Sequence, residues 1–339
     1  MDKKRGFRIF LYTSLVLLII ALFGVNWGTV TGLVTSFANV ALEIQVDLRA
    51  PDNLTITIED QSTGDATLNW SDSNAQGYYI WYSDNVTEIL QLNYSNANIS
   101  ELSNVSTPNV TLVGKYNTTW NDTSAGTVQR RFYAVAAYTN DGDIFTTADV
   151  KVGKYNLTIY GEDNIGQTLL STPLSENISV SFVNPPNDFS WMYGINYSVN
   201  DTWDYAYSLS ENWYGTFNEI EFGYGYLLDD FSNPVHLASA GPIPTGNVTQ
   251  VIYGEDNIGQ TILAWESIST NGNISELITP PNDFSWMYTI DYTQNETWNY
   301  AYSLSGDWFG TFNEFEAGTG YLCDDFSSPV NVIYERNPY

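Results

Sequence analysis

A chain of 339 residues with 43% hydrophobic and 15% aromatic side chains has material for two to four folded domains and is not a disordered segment. Its net charge of −28 excludes nucleic acid and anionic lipid headgroups as ligands, because a field of that sign repels phosphate. One cysteine, Cys323, excludes an intrachain disulfide, so exterior domains must rely on their cores or on bound ions.

The chain opens with Lys3, Lys4, Arg5 and Arg8, then runs almost wholly apolar from Ile9 to Val25. A membrane span needs about 20 such residues, and Trp27 supplies an interface anchor. Residues 1–48 are therefore expected to be a cytoplasmic basic tip and a membrane anchor helix. The basic flank keeps the N-terminus inside and places the rest of a single-pass protein on the cell surface. No clear Ala-x-Ala site follows, which favours an uncleaved signal anchor over a cleaved signal peptide. Lys3-Lys4-Arg5-Gly6 before an apolar helix also resembles the processing site of archaeal type IV pilin-like precursors. That resemblance implies a self-assembling filament subunit with its mature start at Phe7.

The exterior part is dense in Asn-x-Ser/Thr acceptors. They fall at Asn53, Asn69, Asn85, Asn93, Asn98, Asn104, Asn109, Asn117, Asn121, Asn156, Asn177, Asn196, Asn200, Asn247, Asn273 and Asn295. Their confinement to the segment placed outside the membrane predicts a glycoprotein.

Residues 49–153 alternate with the period of β-strands. Strands are expected at Leu54–Ile58, Ala66–Trp70, Gly77–Tyr82 and Val128–Tyr138. In the last, Phe132, Ala134 and Ala136 face one way and Tyr133, Val135 and Ala137 the other. Turn clusters at Ser62–Asp65 and Asn140–Asp143 separate them, the spacing of a β-sandwich. Trp70, Tyr79-Ile80-Trp81-Tyr82-Ser83, and Tyr133-Ala134-Val135-Ala136-Ala137 followed by Asn140-Asp141-Gly142 make this segment resemble a fibronectin type III domain. The resemblance implies an Ig-like sandwich of the kind used in partner binding.

The remainder of the chain is a tandem duplication. Tyr160–Thr168 and Tyr253–Thr261 have one sequence at an offset of 93, and Trp191, Trp203, Trp213 and Tyr226 recur as Trp286, Trp298, Trp308 and Tyr321 at an offset of 95. Two small β-modules are expected, at 154–240 and 247–334, joined by a Ser/Gly/Pro-rich linker over Ala238–Gly246. The fold class is thus mainly β: a transmembrane helix, one sandwich and two tandem modules. Ser190-Trp191-Met192-Tyr193 with Gly223-Tyr224-Gly225-Tyr226, and their second-copy counterparts, resemble aromatic repeats of archaeal and bacterial cell-surface proteins. This implies a prokaryotic, specifically archaeal, surface protein.

Nothing in the sequence has the form of an enzyme. The one histidine, His236, is not kept by the duplication, and no nucleophile-elbow, zincin, Walker or dinucleotide motif is present. Cys323 aligns with Leu228, as an apolar filler does. The repeated carboxylates raise calcium as a cofactor, with Asp229, Asp230, Asp324 and Asp325 as ligands beside Glu162-Asp163-Asn164 and Glu255-Asp256-Asn257. No Asp-x-Asp-x-Asp-Gly loop supports it, and solvated turns are the simpler account. The period-two aromatics Trp191/Tyr193, Trp203/Tyr205/Tyr207 and Tyr224/Tyr226 are expected to be core, with Met192, Asp204 and Ala206 on the opposite face. Trp213 and Trp308, beside Gly-Thr turns, remain as the exposed ligand-binding candidates. The function expected is non-enzymatic adhesion or partner binding by a membrane-anchored, glycosylated surface protein, its partner a surface protein or glycan. The alternatives are a pair of carbohydrate-binding modules and a filament or envelope subunit.

Overall fold

The computed structural model describes residues 51–58, 61, 63–73, 75–92, 109–114, 117–138, 145–147, 150–160, 166–196, 202–254, 259–292 and 297–337. The expected membrane helix lies outside these residues. Among the described residues no helix is long and apolar enough to cross a membrane. The fold is mainly β, in several sheets, with two short α-helices among the described residues.

Eight strands form the first part: β1 (Thr55–Ile58), β2 (Ala66–Asn69), β3 (Gly77–Ser83), β4 (Asn109–Gly114), β5 (Thr119–Asp122), β6 (Arg130–Tyr138), β7 (Phe145–Thr147) and β8 (Val152–Ile159). Helix α1 (Val86–Leu90) follows β3 and is capped by Asn85, whose Oδ1 accepts the Thr87 N–H. The order β1-β2-β5 makes one sheet, which packs over a larger sheet containing β8-β6-β3-β4. Leu54, Ile56, Leu68, Trp70, Tyr78, Ile80, Tyr133 and Val135 fill the space between them. Strand β6 is buried on both faces, as its doubly apolar sequence requires. Tyr133, Val135 and Ala137 face the sandwich core, while Phe132, Ala134 and Ala136 face a second core shared with the next unit.

That unit contains β9 (Gln167–Ser171), β10 (Ile178–Ser179), β11 (Trp191–Asn196), β12 (Thr202–Leu209), β13 (Asn212–Gly215), β14 (Glu219–Ile220), β15 (Gly225–Asp229) and β16 (Val235–Pro242). The second copy contains β17 (Gly246–Ile252), β18 (Gln260–Ala264), β19 (Gly272–Asn273), α2 (Ile274–Leu277), β20 (Trp286–Asp291), β21 (Thr297–Leu304), β22 (Asp307–Gly310), β23 (Glu314–Phe315), β24 (Gly320–Asp324) and β25 (Val330–Arg336). Both copies repeat one topology. A five-stranded antiparallel sheet, β13-β12-β11-β15-β9 or β22-β21-β20-β24-β18, is closed by a ribbon of the copy's first and last strands, β8 with β16 or β17 with β25. The extra two residues of the second copy fall between its β18 and β20. In that interval the 3-10 segment Val180–Phe182 of the first copy is replaced by the α-helical turn α2.

The expected linker is not a linker. Ala238–Pro242 belongs to β16, paired residue by residue with β8, and Ala238 and Ser239 are buried. Small residues sit there because β16 packs closely against β1, and the Ala238 N–H donates to Gln61 Oε1 at 2.6 Å. Strand β8 serves both neighbours. Its first half pairs with β6 (Tyr133↔Val152 to Arg130↔Tyr155), so the boundary read at residue 153 falls inside a continuous strand.

The two copies meet through the β9/β15 end of one sheet and the β18/β24 end of the other. Leu169, Ile195 and Ile262 form a small buried cluster there, with Leu227 and Leu322 against it. Gly225 is a requirement of this contact, since a Cβ on it would lie 2.8 Å from the Ile262 carbonyl oxygen. Tyr160 stacks on Tyr292 with ring centroids 4.0 Å apart, and Tyr292 Oη accepts the Leu169 N–H at 2.9 Å.

Candidate functional site

The aromatics of the two strands that begin Trp191 and Thr202, and of their second-copy counterparts, point outward, contrary to the expectation that they form the core, whereas Tyr226 and Tyr321 are buried in the core as expected. In the first copy Met192, Ala206 and Leu228 are the buried residues, aligned in one row across three strands (Met192↔Ala206, Met192↔Leu228). Alternation then forces Trp191, Tyr193, Trp203, Tyr205 and Tyr207 to the other face. Their neighbours along the register are Tyr207↔Tyr214, Trp191↔Tyr207, Tyr193↔Tyr205 and Ile195↔Trp203. Trp203 is 36% exposed, Tyr205 39% and Tyr214 49%.

The outer face is built of rungs. One runs Gln167–Asp229–Trp191–Tyr207–Tyr214 across all five strands, and the next runs Leu169–Leu227–Tyr193–Tyr205. The aliphatic end is covered by the other copy, through Leu169, Leu227 and Ile195. Six rings remain on the open part. Trp191 lies 5.8 Å from Tyr193 and 5.2 Å from Tyr207, Tyr193 meets Trp203 edge-on at 6.2 Å, and Tyr207 lies 5.9 Å from Tyr214. Such pairs prefer offset or edge-to-face contacts at these distances.

The second copy reproduces the set. Trp286 lies 5.8 Å from Tyr288 and 5.2 Å from Tyr302, Tyr288 meets Trp298 edge-on at 6.3 Å, and Tyr302 lies 5.9 Å from Phe309. Trp298, Tyr300 and Phe309 are exposed to nearly the same degree as their counterparts.

A buried polar network fixes the turns that carry these strands. Ser208 Oγ accepts the Ser190 N–H at 2.8 Å and donates to the Asn187 carbonyl at 2.7 Å. Asn187 Nδ2 donates to the Asp230 carbonyl at 2.9 Å, and its Oδ1 accepts the Ser232 N–H at 2.8 Å. Ser285, Ser303, Asn282, Asp325 and Ser327 repeat this network. It holds Phe189 and Phe284 in the left-handed region, at φ 65 and 67, with their rings exposed. A bulky residue is strained there, and both copies carry it.

Trp213 and Trp308 are not on the exposed face. Each is half-buried on the inner side, where the Trp213 Nε1–H donates to the Val183 carbonyl at 2.7 Å and its ring packs on Phe231 at 6.1 Å. Trp308 does the same with Ile278 (2.9 Å) and Phe326 (6.1 Å). The neighbouring Gly215 is demanded by packing, since a Cβ there would overlap the Tyr205 carbonyl oxygen.

The aspartate pairs lie at the edge of the faces. Asp229 sits opposite Trp191, accepts from Gln167 Nε2 at 3.2 Å, and accepts the Asp230 N–H at 3.0 Å. Asp230 has φ 57 and its carboxyl is raised above the usual range by burial and by Asp229. Burial together with Asp229 and Asp230 also raises the Tyr193 phenol, and burial with Asp324 and Asp325 does so for Tyr288. Among the described residues no group of three or more His, Cys, Asp or Glu side chains is gathered to hold a metal ion. The acidic stretches at 162–163 and 255–256 lie outside them. Cys323 is buried, and its thiol is pushed up by that burial.

His236 is exposed beside Thr158 Oγ1 at 3.2 Å. A cleft of about 220 Å³ on the inner side of the first copy carries Asp204 and Glu221. Its second-copy counterparts are Asn299 and Glu316, so the carboxylate pair is not duplicated.

Of the acceptor asparagines, Asn53, Asn69, Asn85, Asn109, Asn117, Asn121, Asn177 and Asn247 are exposed. Asn85 and Asn273 cap helices, Asn177 Nδ2 donates to Glu219, and Asn156 Nδ2 donates to the Val128 carbonyl. Asn196 is half-buried. Asn93, Asn98, Asn104, Asn200 and Asn295 lie outside the described residues.

Sequence patterning does not single out Tyr214, Phe309, Phe189 or Phe284. The signal that could have found the face lies opposite it: Met192, Ala206 and Leu228 match Met287, Ala301 and Cys323 as a compact apolar row with no hydroxyl or ring nitrogen to satisfy.

No known family matches the sequence, and no curated protein does. Among solved structures the chain is similar to the FN1–FN3 domains of chicken CNTN1, at 10% identity and a TM-score of 0.18, over 85% of this chain and 99% of that one.

Proposed function

We propose that the chain is a non-enzymatic cell-surface binding protein, anchored by its N-terminal apolar segment, whose binding elements are the two outward aromatic faces. One observation carries the reading. Six rings line the outer face of each copy at the same positions, three exposed and three half-buried between them, with ring distances equal to within about 0.1 Å. Exposed aromatic clusters on soluble domains mark interaction sites, and Trp and Tyr dominate interface energetics.

The supporting parts fit an exterior, displayed protein. The sheet order β1-β2-β5 against β4-β3-β6 supports a fibronectin type III-like sandwich next to the membrane segment, with two β-modules of one kind beyond it. Eight exposed acceptor asparagines among the described residues support glycosylation. The test is adhesion of cells displaying the full chain, compared with cells displaying Trp203→Ala and Trp298→Ala together. Loss of adhesion at equal surface protein supports the reading, and unchanged adhesion refutes it.

A further inference from the structure

We propose that the ligand of these faces is an uncharged polysaccharide, with sugar rings laid on each copy's open row of aromatics. The proposal rests on the reading of the faces as binding elements and adds the ligand's chemical class. A sugar ring offers C–H groups on its broad side, which pack on the electron-rich face of an aromatic ring. Its hydroxyls seek donors and acceptors at the edge. Each face supplies both, with rings along the rung through Trp191 and an amide–carboxylate pair, Gln167 and Asp229, at its end.

Other occupants fit less well. The rungs through Trp191 and Tyr193 carry no Lys or Arg, and Asp229 lies among them, so an anionic polymer meets repulsion without a partner. A quaternary ammonium is recognised by a cage of rings around it, whereas these six spread over three adjacent strands of one sheet surface. A second copy brings the same acidic margin and a net charge of −28 against its own kind. An extended neutral chain uses an extended neutral row, and the duplication doubles the contact through avidity.

The experiment is native electrophoresis of the full chain in detergent micelles, through gels containing hydroxyethyl cellulose, galactomannan, laminarin or dextran, with alginate as the anionic comparison. At least one neutral polymer is expected to retard the chain and alginate is not. Trp203→Ala with Trp298→Ala is expected to weaken retardation about tenfold, and Trp203→Phe with Trp298→Phe to weaken it less. Near-UV circular dichroism of both variants reports that the fold is kept. Retardation by no neutral polymer, equal retardation by alginate, or a dimer in sedimentation that the double variant abolishes each overturns the sugar assignment. If adhesion still depends on Trp203 and Trp298 in that event, the faces remain the binding elements for another ligand. If adhesion is indifferent to them, both readings fall.

Discussion

The two tryptophans of each module make opposite demands on stability, and the contrast tests which face is inside. Trp213→Ala removes a half-buried ring packed on Phe231 and strips the Val183 carbonyl of its 2.7 Å indole donor. A fully buried Trp→Ala costs about 3–5 kcal/mol. Partial burial lowers the cavity part, and the unsatisfied carbonyl adds about 1 kcal/mol or more, so the expected loss is roughly 3 kcal/mol. Trp203→Ala removes a ring already 36% exposed, whose edge-on contact with Tyr193 is its main aromatic partner. That contact is worth about 1 kcal/mol. Urea unfolding of the full chain, followed by far-UV circular dichroism, should show a large fall in midpoint for Trp213→Ala and a small one for Trp203→Ala. The pair Trp308→Ala and Trp298→Ala should repeat the order. If Trp203→Ala proves the more damaging, the aromatic row is core and does not form an outer face.

Three other perturbations probe the same geometry. Gly225→Ala puts a Cβ 2.5 Å from Ile262 Cγ2 and 2.8 Å from its carbonyl oxygen. Overpacking of this kind costs about 1–3 kcal/mol, and it should speed hydrogen exchange of the Leu169 amide, which the Tyr292 hydroxyl protects. Asp122→Asn removes the buried carboxylate that accepts from Arg131 at 3.1 Å and from the Tyr133 hydroxyl at 3.0 Å, while Asp84 at 2.6 Å still pairs the guanidinium, so it should destabilise the sandwich by about 1–3 kcal/mol in the same urea assay. Thermal midpoints should rise and then fall with pH. Burial pushes Lys154 down to about 8, so between about 8 and 10.5 the unfolded chain holds a proton the folded chain has lost, and stability climbs. Above about 10, Tyr133, Tyr226, Tyr321 and Tyr334, all raised by burial, keep protons that unfolded tyrosines lose, and stability drops. A steady fall from pH 8 upward would contradict the Lys154 environment.

Much of the architecture is legible in the sequence, and the failures share a cause. The strands expected at 54–58, 66–70, 77–82 and 128–138 appear at 55–58, 66–69, 77–83 and 130–138, because turn clusters and alternation define strand limits well. The two faces of β6 are separable because both are apolar. In β11 and β12 the alternation divides the residues correctly into two sets, but a period of two does not say which set is inside. Aromatic bulk suggests the wrong one. What decides is the partner surface: the row Met192–Ala206–Leu228 meets a core supplied by Leu174, Val180 and Phe231 from elsewhere in the chain. Trp213 is misplaced for the same reason, since its acceptor, Val183, lies 30 residues away. The Ala238–Gly246 segment reads as a linker because small residues are the mark of both a loose connection and a tightly packed strand.

The duplication contains a built-in comparison at the closing ribbons. In the first copy, Val152–Tyr155 of β8 is flanked on one side by β16 and on the other by β6. The ribbons align with Ile159 matching Ile252, so the corresponding stretch at β17 is Thr245–Val248. There β25 is the one strand partner among the described residues, and none of those residues forms a strand in the place that β6 holds in the first copy. An open edge invites pairing with another strand, and proteins blunt it with charge, bulges or coverage. Here the blunting falls to Gly246, in the left-handed region at φ 85, and to the exposed acceptor Asn247, which stands where β8 has Lys154. A glycan attached at Asn247 would crowd the approach of a second chain. Amide hydrogen exchange should therefore differ between equivalent stretches, slow in Val152–Tyr155 and faster in Gly246–Val248. Asn247→Gln should increase self-association of the glycosylated chain while leaving that of the unglycosylated chain unchanged. Equal protection of the two stretches would mean that the second ribbon has a partner strand of its own.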